Sequence, residues 1–379
     1  MSSGRPFGLY LHVPYCASIC GYCDFNTYVA SAGDAGPQGH VDLLLAELSL
    51  AVEELGAPRT VDTIFLGGGT PTLLGADELA RLMRGVTQLM ELAPGAEVTT
   101  EANPESVDHA SLTKLREAGY TRVSLGMQSS TPHVLAALER QHTPGRAIDA
   151  ARDAAAAGFE HISLDLIYGT PGESAAEWDE SLHAALSANP DHVSAYALTI
   201  EQGTRLAAQI RAGKAQAPDD DVLAERYEQA ERILSAAGLG WYELSNWARD
   251  DGARCRHNDN YWSGGDWWGA GPGAHSQIDG ERWMNTRRPQ AWGTAIAAGV
   301  LPREQRERPN AEAQTLERVM LGVRRREGIA VDALPGSAAA SQLAADGLLN
   351  MQALEHGRAV LTMTGRLLAD RVTLALASA

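Results

Sequence analysis

Hydrophobic and polar positions in the first 200 residues follow two alternating periods. Short runs rich in β-branched and aromatic residues predict strands, and a glycine or polar stretch follows each of them. Between these runs, apolar residues recur at the spacing of amphipathic helices. The predicted strands are FGLYLHV (7–13), VDTIFLGGG (61–69), EVTTEANPE (97–105), TRVSLGMQS (121–129), HISLDLIYGTPGE (161–173) and HVSAYALTI (192–200). The predicted helices include HVDLLLAELSLAVEELG (40–56), ADELARLMRGVTQLM (76–90) and SLTKLREAGY (111–120).

Six alternations of strand and helix predict parallel βα units joined by right-handed crossovers. The polar residues at the strand ends decide between an open sheet and a barrel. A cysteine-rich loop follows the first strand, GGGT (67–70) the second, and Glu101, Gln128 and Asp165 lie on the next three. Such residues at the carboxyl ends of many strands are typical of a (β/α) barrel, whereas a doubly wound sheet binds its ligand at one switch point. The sequence therefore predicts an α/β fold with a partial, TIM-like (β/α)6 barrel over residues 1–240.

The regular pattern ends after about residue 201. The tract CRHNDNYWSGGDWWGAGPGAHS (255–276) joins aromatic residues to glycines without a clean period, and we expect residues 241–308 to form an extension and connector. Residues 309–379 predict helices plus a short hairpin, which would form a small carboxyl-terminal α+β domain. The helix–helix–hairpin order is compatible with a winged-helix-like unit.

Composition narrows the class of protein. The chain has 379 residues, 44% of them hydrophobic, which is enough for a large α/β domain and a smaller one. A formal charge of −17 argues against nucleic acid as the main partner, because phosphate binding depends on lysine and arginine. No apolar run approaches the length of a membrane span, and the first residues lack the apolar core of a signal peptide. The sequence predicts a cytoplasmic protein; peripheral membrane contact and a homodimer are left open.

Three of the four cysteines lie in one short segment, with the spacing Cys16-x3-Cys20-x2-Cys23. A structural zinc site would need a fourth ligand, either His12 or the remote Cys255. A disulfide would leave one thiol over, and disulfides are rare in a reducing compartment. A [4Fe–4S] cluster held by three thiolates would leave one iron open to bind a small molecule. In this third interpretation the missing ligand is the functional feature.

The CxxxCxxC spacing after the first barrel strand resembles the radical S-adenosylmethionine (SAM) superfamily. The segments GGGTPT, EANPE and LDLIYGTPGE on the second, third and fifth strands strengthen the resemblance. In that family the open iron binds the amino and carboxylate groups of SAM, and the cofactors carry the radical chemistry. The segments YxHxPxC, SLGMQS, ERQHT and HNxxYW resemble the oxygen-independent coproporphyrinogen-III dehydrogenase group and, within it, the HemW family of heme chaperones. The resemblance covers essentially the whole chain.

The resemblance implies a set of binding residues. It implies a [4Fe–4S] cluster on Cys16, Cys20 and Cys23. Carboxylates suit the ribose hydroxyls or amino group of SAM, and an arginine suits its carboxylate. The alternatives are a tight turn before Pro71 for the glycines, a helix cap for Thr70, and an internal polar network for the carboxylates. The implied SAM residues are Tyr10, Tyr22, Gly68, Gly69, Thr70, Glu101, Gln128, Arg140, Asp165 and Ala197.

His257 and Cys255 are the candidate ligands for heme iron, since histidine and thiolate both serve as axial ligands. His257 and Asn258 open the HNxxYW motif, which in the resembling family suggests a loop that faces a porphyrin. The alternative is that both residues only fix an irregular loop by hydrogen bonds. The sequence leaves these two interpretations open.

Two departures separate this chain from the coproporphyrinogen dehydrogenases. Those enzymes carry a further cysteine where this sequence has Phe25, and only fifteen residues precede Cys16 here. Both departures match the HemW-like proteins. The resemblance therefore implies a chaperone that binds a [4Fe–4S] cluster and SAM, carries heme as cargo and delivers it to target proteins. The alternatives are a coproporphyrinogen-III dehydrogenase and a zinc-stabilised interaction protein.

Overall fold

The computed structural model describes residues 5–29, 38–56 and 59–378. Its strands are β1 Phe7–Val13, β2 Tyr15–Cys16, β3 Tyr28–Val29, β4 Val61–Gly68, β5 Leu92–Ala102, β6 Arg122–Gln128, β7 His161–Tyr168, β8 His192–Ala197, β9 Gly240–Glu243, β10 Asn246–Ala248, β11 Asp266–Ala270, β12 His275–Ile278, β13 Glu281–Asn285, β14 Arg303–Glu307, β15 Ile329–Ala330 and β16 Arg358–Ala359.

The α-helices lie mostly between the strands of the first 200 residues and again at the carboxyl-terminal end. They are α1 His40–Leu55, α2 Ala76–Leu89, α3 His109–Glu117, α4 Pro132–Ala137, α5 Arg146–Ala156, α6 Ala175–Ser187, α7 Arg205–Arg211, α8 Asp220–Ala236, α9 Arg256–Trp262, α10 Pro289–Ala297, α11 Ala311–Val323, α12 Ser337–Ala345, α13 Met351–Glu355, α14 Met363–Leu367 and α15 Ala369–Ala377.

The six strands predicted from the sequence form the parallel centre of one sheet. Strands β1, β4, β5, β6, β7 and β8 lie side by side in chain order, and each pair is parallel. Helices α1, α2, α3, α5 and α6 lie between them in the chain, and their buried faces join the strands in one hydrophobic core. The predicted partial (β/α)6 barrel is confirmed. Successive parallel strands bring their carboxyl ends to one face, which is where such folds hold their sites.

The extension contributes more sheet than its irregular sequence suggested. Strand β11 pairs in parallel with β1, and β12, β13 and β14 continue antiparallel from it; β10 and β9 extend the opposite edge beyond β8. The aromatic residues of this region fill the core. The Arg303 guanidinium lies over the rings of Trp268 and Trp283, at 5.0 and 4.3 Å from their centroids. The tract therefore has no clean period because its apolar residues pack along an inner strand of the sheet, β11, and beside an arginine.

The carboxyl-terminal residues from α11 onward pack around a second hydrophobic core. The strands of this region differ from a local hairpin: β15 and β16 pair antiparallel, but α12 and α13 lie between them in the chain. Arg366 connects this region to the barrel side, because it lies 4.3 Å from the Trp241 ring and pairs with Glu231 at 2.8 Å. The winged-helix likeness and the boundaries at 240/241 and 308/309 stay predictions. None of the helices in the described ranges combines the length and hydropathy that a bilayer-spanning helix needs.

Candidate functional site

The cysteine loop connects β2 and β3, which pair in parallel. Two residues fix it to the rest of the protein. Asn26 donates both protons of its side-chain amide, to the carbonyl of Pro272 at 2.9 Å and to that of Arg287 at 2.8 Å. Gly21 donates its backbone N–H to the Leu138 carbonyl at 3.1 Å. The loop is thus held from two sides of the barrel mouth before any ligand binds.

The three thiols of the loop are partly buried and face one cavity of about 630 Å³. Burial raises the pKa of Cys16 to about 11 and also raises the pKa of Cys23. The Arg140 guanidinium donates to Cys20 Sγ at 3.6 Å. A bound metal would deprotonate such thiols, because a cation reverses the effect of burial. Within residues 5–29, 38–56 and 59–378, no three His, Cys, Asp or Glu side chains are grouped closely enough to hold a single metal ion.

The glycines after β4 lie directly against the cysteine loop. Gly68 has φ +107°, and a Cβ there would lie 2.3 Å from the His12 ring. A Cβ on Gly69 would lie 2.5 Å from the Tyr15 carbonyl oxygen. The backbone N–H groups of this turn already have protein acceptors: Gly68 donates to Glu101 at 3.0 Å, and Thr70 donates to Tyr15 at 2.8 Å. These glycines are therefore required by close packing, and their N–H groups already have acceptors. The assignment of this turn to SAM stays a prediction.

Two partly buried carboxylates line the same cavity as this turn. Glu101 lies on β5 and Asp165 on β7, and Ser124 of the intervening β6 donates to both oxygens of Asp165 at 3.0 and 2.9 Å. Burial, followed by the nearby Asp165 charge, raises the pKa of Glu101 to about 7. Burial also raises the pKa of Asp165. Two acids in one enclosed space are costly without a ligand that hydrogen-bonds to them.

Gln128 and Arg140 complete the wall of the cavity next to Cys20. Gln128 has φ +64°, which is strained for a residue with a side chain, and the β6–β7 register shifts between Gly126 and Gln128. Such strain costs about 1–3 kcal/mol and is concentrated at functional sites. Arg140 donates to the Gly126 carbonyl at 3.1 Å, while its Nε has no hydrogen-bond partner among the described residues.

Nine of the ten residues predicted for SAM line this cavity. The exception is Tyr10, whose hydroxyl lies 3.0 Å from His12 Nδ1 just behind the glycine turn. Tyr22 lines the cavity from the cysteine loop, and Ala197 lines it at the end of β8. The structure thus brings together the residues that the sequence distributes over two hundred positions.

The HNxxYW motif forms the short helix α9 inside the barrel. Glu97 of β5 accepts the backbone N–H of Arg256 at 3.2 Å and of His257 at 3.0 Å, so it caps the amino-terminal end of this helix. The His257 ring is 1% exposed; its Nδ1 lies 2.8 Å from Thr63 Oγ1 and its Nε2 lies 2.8 Å from the Tyr261 hydroxyl. The geometry gives His257 an anchoring role.

Cys255 lies at the deep end of the cavity. It is 4% exposed, and its thiol donates to Glu97 Oε1 at 3.8 Å. Burial, followed by the Glu97 charge, raises the pKa of this thiol. Neither Cys255 nor His257 presents a free ligand atom at the cavity mouth, and their assignment to heme iron stays a prediction.

The geometry agrees with what this chain is similar to. Residues 10–185 match the radical SAM superfamily. Over 373 residues the chain is 53% identical to the heme chaperone HemW of Mycobacterium tuberculosis, a match that covers 97% of this chain and 94% of that protein. The chain belongs to the HemW family. HemW of Escherichia coli is 39% identical over 292 residues, 76% of this chain and 75% of that protein.

A solved structure with the same fold is E. coli coproporphyrinogen III oxidase (HemN), a radical SAM enzyme. It matches with a TM-score of 0.80 and 22% identity over 98% of this chain and 90% of that one. At this identity the likeness concerns the fold alone. The match covers the partial barrel and also the residues that follow the barrel in this chain.

Sequence reasoning missed two residues of this HemW-family site. Glu97 opens a predicted strand, and a charged residue beside buried β-branched positions was a usable signal that it needs partners. Ser124 gave no such signal, because a serine within a strand is ordinary. Its contact with Asp165 depends on the register of β6 and β7, which pairs Ser124 with Ser163.

Proposed function

We propose that this HemW-family protein is a cytoplasmic heme chaperone that binds a [4Fe–4S] cluster and SAM and delivers heme to target proteins. One observation carries the proposal: three free thiols on one loop face the same cavity as two partly buried carboxylates and an arginine. The chain in which this occurs is 53% identical to a protein named as a heme chaperone.

The residues at the cavity fit an iron–sulfur cluster. Three thiols from one fixed loop match the ligand number of a cluster that keeps one iron open. Arg140, beside Cys20, provides a positive charge next to the thiolates. When bound, the cluster would hold SAM on its open iron and supply the electron for cleavage of the sulfonium.

The remaining cavity residues fit the polar groups of SAM. Glu101 and Asp165 lie where carboxylates can accept hydrogen bonds from an amino group or from ribose hydroxyls. Arg140 has an unpartnered Nε and lies beside the cluster loop, so it suits the SAM carboxylate. Gln128 is held in a strained conformation at the same wall, and we assign it to the orientation of the ligand.

Heme binding is the simplest test of the proposed function. The anaerobically reconstituted protein should contain about four irons and four sulfides per chain, and it should bind heme saturably at one site, followed by the Soret absorbance. The same titration with SAM present shows whether the two ligands bind together. A reconstituted protein with a full cluster and no saturable heme binding would contradict the chaperone function, whatever its SAM affinity.

A further inference from the structure

The ERQHT segment contains a histidine that the proposed site does not use. His142 lies between α4 and α5. In the described part of the chain neither nitrogen of its ring has a hydrogen-bond partner, and Nδ1 is buried. A partly buried imidazole without partners is uncommon, because buried polar groups normally hydrogen-bond.

The other histidines in the described ranges differ from it. His12, His192 and His257 have partners at both ring nitrogens. One ring nitrogen is engaged in each of His40, His109, His133, His161 and His356. For His183 and His275, neither the residue nor its chain neighbours line the cavity. His142 is thus the unpartnered imidazole next to the site.

His142 does not itself line the cavity, and its place beside the mouth follows from its neighbours. Arg140 and Gln141, immediately before it, line the cavity. Glu105, which also lines the cavity, accepts the backbone N–H of Thr143 at 2.6 Å and fixes the segment from the other side. The charged groups that face the imidazole are therefore the Arg140 guanidinium and the Glu105 carboxylate.

The mouth also offers an apolar surface. Phe25 lines the cavity and is nevertheless 64% exposed, although large apolar side chains are usually buried. Ile19 and Leu73 line the same cavity. A flat apolar macrocycle with a metal centre needs such a surface together with one free ligand atom.

The size of the cavity decides how deep such a macrocycle can lie. A cavity of about 630 Å³ is within the range that holds a single ligand of drug size. If SAM occupies the interior of the cavity, as the proposed function requires, a porphyrin can bind only at the mouth. The His257 ring of α9 and the Cys255 thiol that precedes this helix are 1% and 4% exposed, so we place the porphyrin away from them.

We propose that His142 Nε2 ligates the heme iron at the cavity mouth, with the porphyrin face against Phe25. This inference rests on the proposed function and names the site at which heme is held. The lone pair of a neutral imidazole forms the bond to iron, and no proton or electron is transferred. Burial, followed by the Arg140 charge, lowers the pKa of His142 to about 4, so the ring is neutral at physiological pH.

The test compares three variants of the full reconstituted chain by heme titration and by the absorption and resonance Raman spectra of the bound heme. We expect His142→Ala to weaken binding at least about tenfold and to lose the histidine–iron signature, and added imidazole to restore that signature. His133→Ala, at an exposed ring that pairs with Glu177 at 3.5 Å, is the matched control and should bind as the wild type does.

The third variant, His257→Ala, tests the competing assignment, in which His257 ligates the heme iron. If His257→Ala loses the histidine signature while His142→Ala keeps it, the inference is wrong. Unchanged affinity and spectrum in His142→Ala would also overturn it. Iron, sulfide and SAM binding in His142→Ala, measured in parallel, identify a variant that fails to fold. A wild-type protein that binds no heme would instead refute the proposed function.

Discussion

Glu97 and His257 are joined by a hydrogen bond of 3.0 Å from the backbone N–H of His257 to the Glu97 carboxylate. The same carboxylate accepts from Arg122 Nε at 3.0 Å, and both of these charged side chains are almost fully buried. Because Glu97 lies on β5 and His257 on α9, the HNxxYW segment is fastened inside the barrel by an ion pair and a helix cap. The motif thus has a structural task that is independent of any ligand.

Replacement of Glu97 by alanine should therefore unfold the barrel more easily. It leaves the Arg122 charge buried without its acid and removes the cap of α9, and such a change costs about 3–5 kcal/mol. Urea denaturation followed by tryptophan fluorescence measures it. Glu53→Ala, at an exposed position of α1, is the control and should stay within about 0.5 kcal/mol of the wild type. Equal effects of the two substitutions would contradict the role given to Glu97.

Serine variants of the four cysteines should fall into two groups by their iron content. Cys16→Ser, Cys20→Ser and Cys23→Ser each remove a thiol that faces the cavity, and we expect each variant to lose most of its iron and sulfide after reconstitution. Cys255→Ser removes a thiol that lines the cavity but lies outside the cysteine loop, and this variant should keep the full amount of iron and sulfide. Loss of iron in Cys255→Ser to the same extent would favour a site in which Cys255 is the fourth ligand.

Gly68→Ala should disturb the turn that separates the cysteine loop from the carboxylates. The new Cβ would lie 2.3 Å from the His12 ring and would occupy φ +107°, and strain of this kind costs about 1–3 kcal/mol. Thermal unfolding and SAM titration should both show the loss. Gly240→Ala is the control, because its Cβ would meet nothing closer than 3.8 Å. If Gly68→Ala matches this control in both measurements, the close packing assigned to the turn is wrong.

Glu47 should make stability depend on pH. It accepts hydrogen bonds from Gly271, Asn285 and Trp292, yet burial raises its pKa from the ordinary carboxyl value to about 7. Since the folded state holds this proton more tightly than the unfolded state, the contribution of Glu47 falls as pH rises from about 4.5 to about 7. We expect the difference in unfolding free energy between wild type and Glu47→Gln to fall by on the order of 3 kcal/mol over this range.

The sign of that slope is the informative result. Glu47→Gln also replaces with an NH2 group one of the two oxygens that accept these three hydrogen bonds, so it should be less stable than the wild type at pH 4.5. The difference between the two proteins should nevertheless narrow toward pH 7. A difference that widens as pH rises would mean that the folded state binds the proton of Glu47 less tightly than the unfolded state.

Much of the barrel could be predicted from local patterns. Each of the six strands has a β-branched run and a polar end, and these are properties of a few consecutive residues. The predicted helix at 40–56 is α1 His40–Leu55, and that at 76–90 is α2 Ala76–Leu89. The cysteine spacing and the strand-end carboxylates were likewise readable, because each marks an unusual residue in a regular context.

The remaining features depend on contacts between distant segments. Strand β11 takes its place beside β1 through register with residues more than 250 positions away, and no local pattern encodes that pairing. The orientation of His257 follows from Thr63 and Tyr261, which fix its ring, and the motif alone cannot indicate it. The exposure of Phe25 was also not predictable, since a large aromatic side chain is ordinarily expected in the core.

Phe25 occupies the position where the coproporphyrinogen dehydrogenases carry a further cysteine, and its location suggests a role for this difference. It lies on the lip of the cavity, with most of its ring exposed. A Phe25→Ser substitution should leave the unfolding free energy within about 0.5 kcal/mol of the wild type and should weaken heme binding severalfold. Heme affinity that is unchanged in Phe25→Ser would exclude the lip as the contact surface for the porphyrin.

The most direct test of heme handling against porphyrin oxidation is one anaerobic experiment on the reconstituted protein with SAM and a reductant. Heme is titrated into one portion, and coproporphyrinogen III is incubated with another and analysed for protoporphyrinogen IX. We predict saturable heme binding and no protoporphyrinogen IX. Formation of protoporphyrinogen IX without saturable heme binding would contradict the chaperone function and identify the protein as a dehydrogenase.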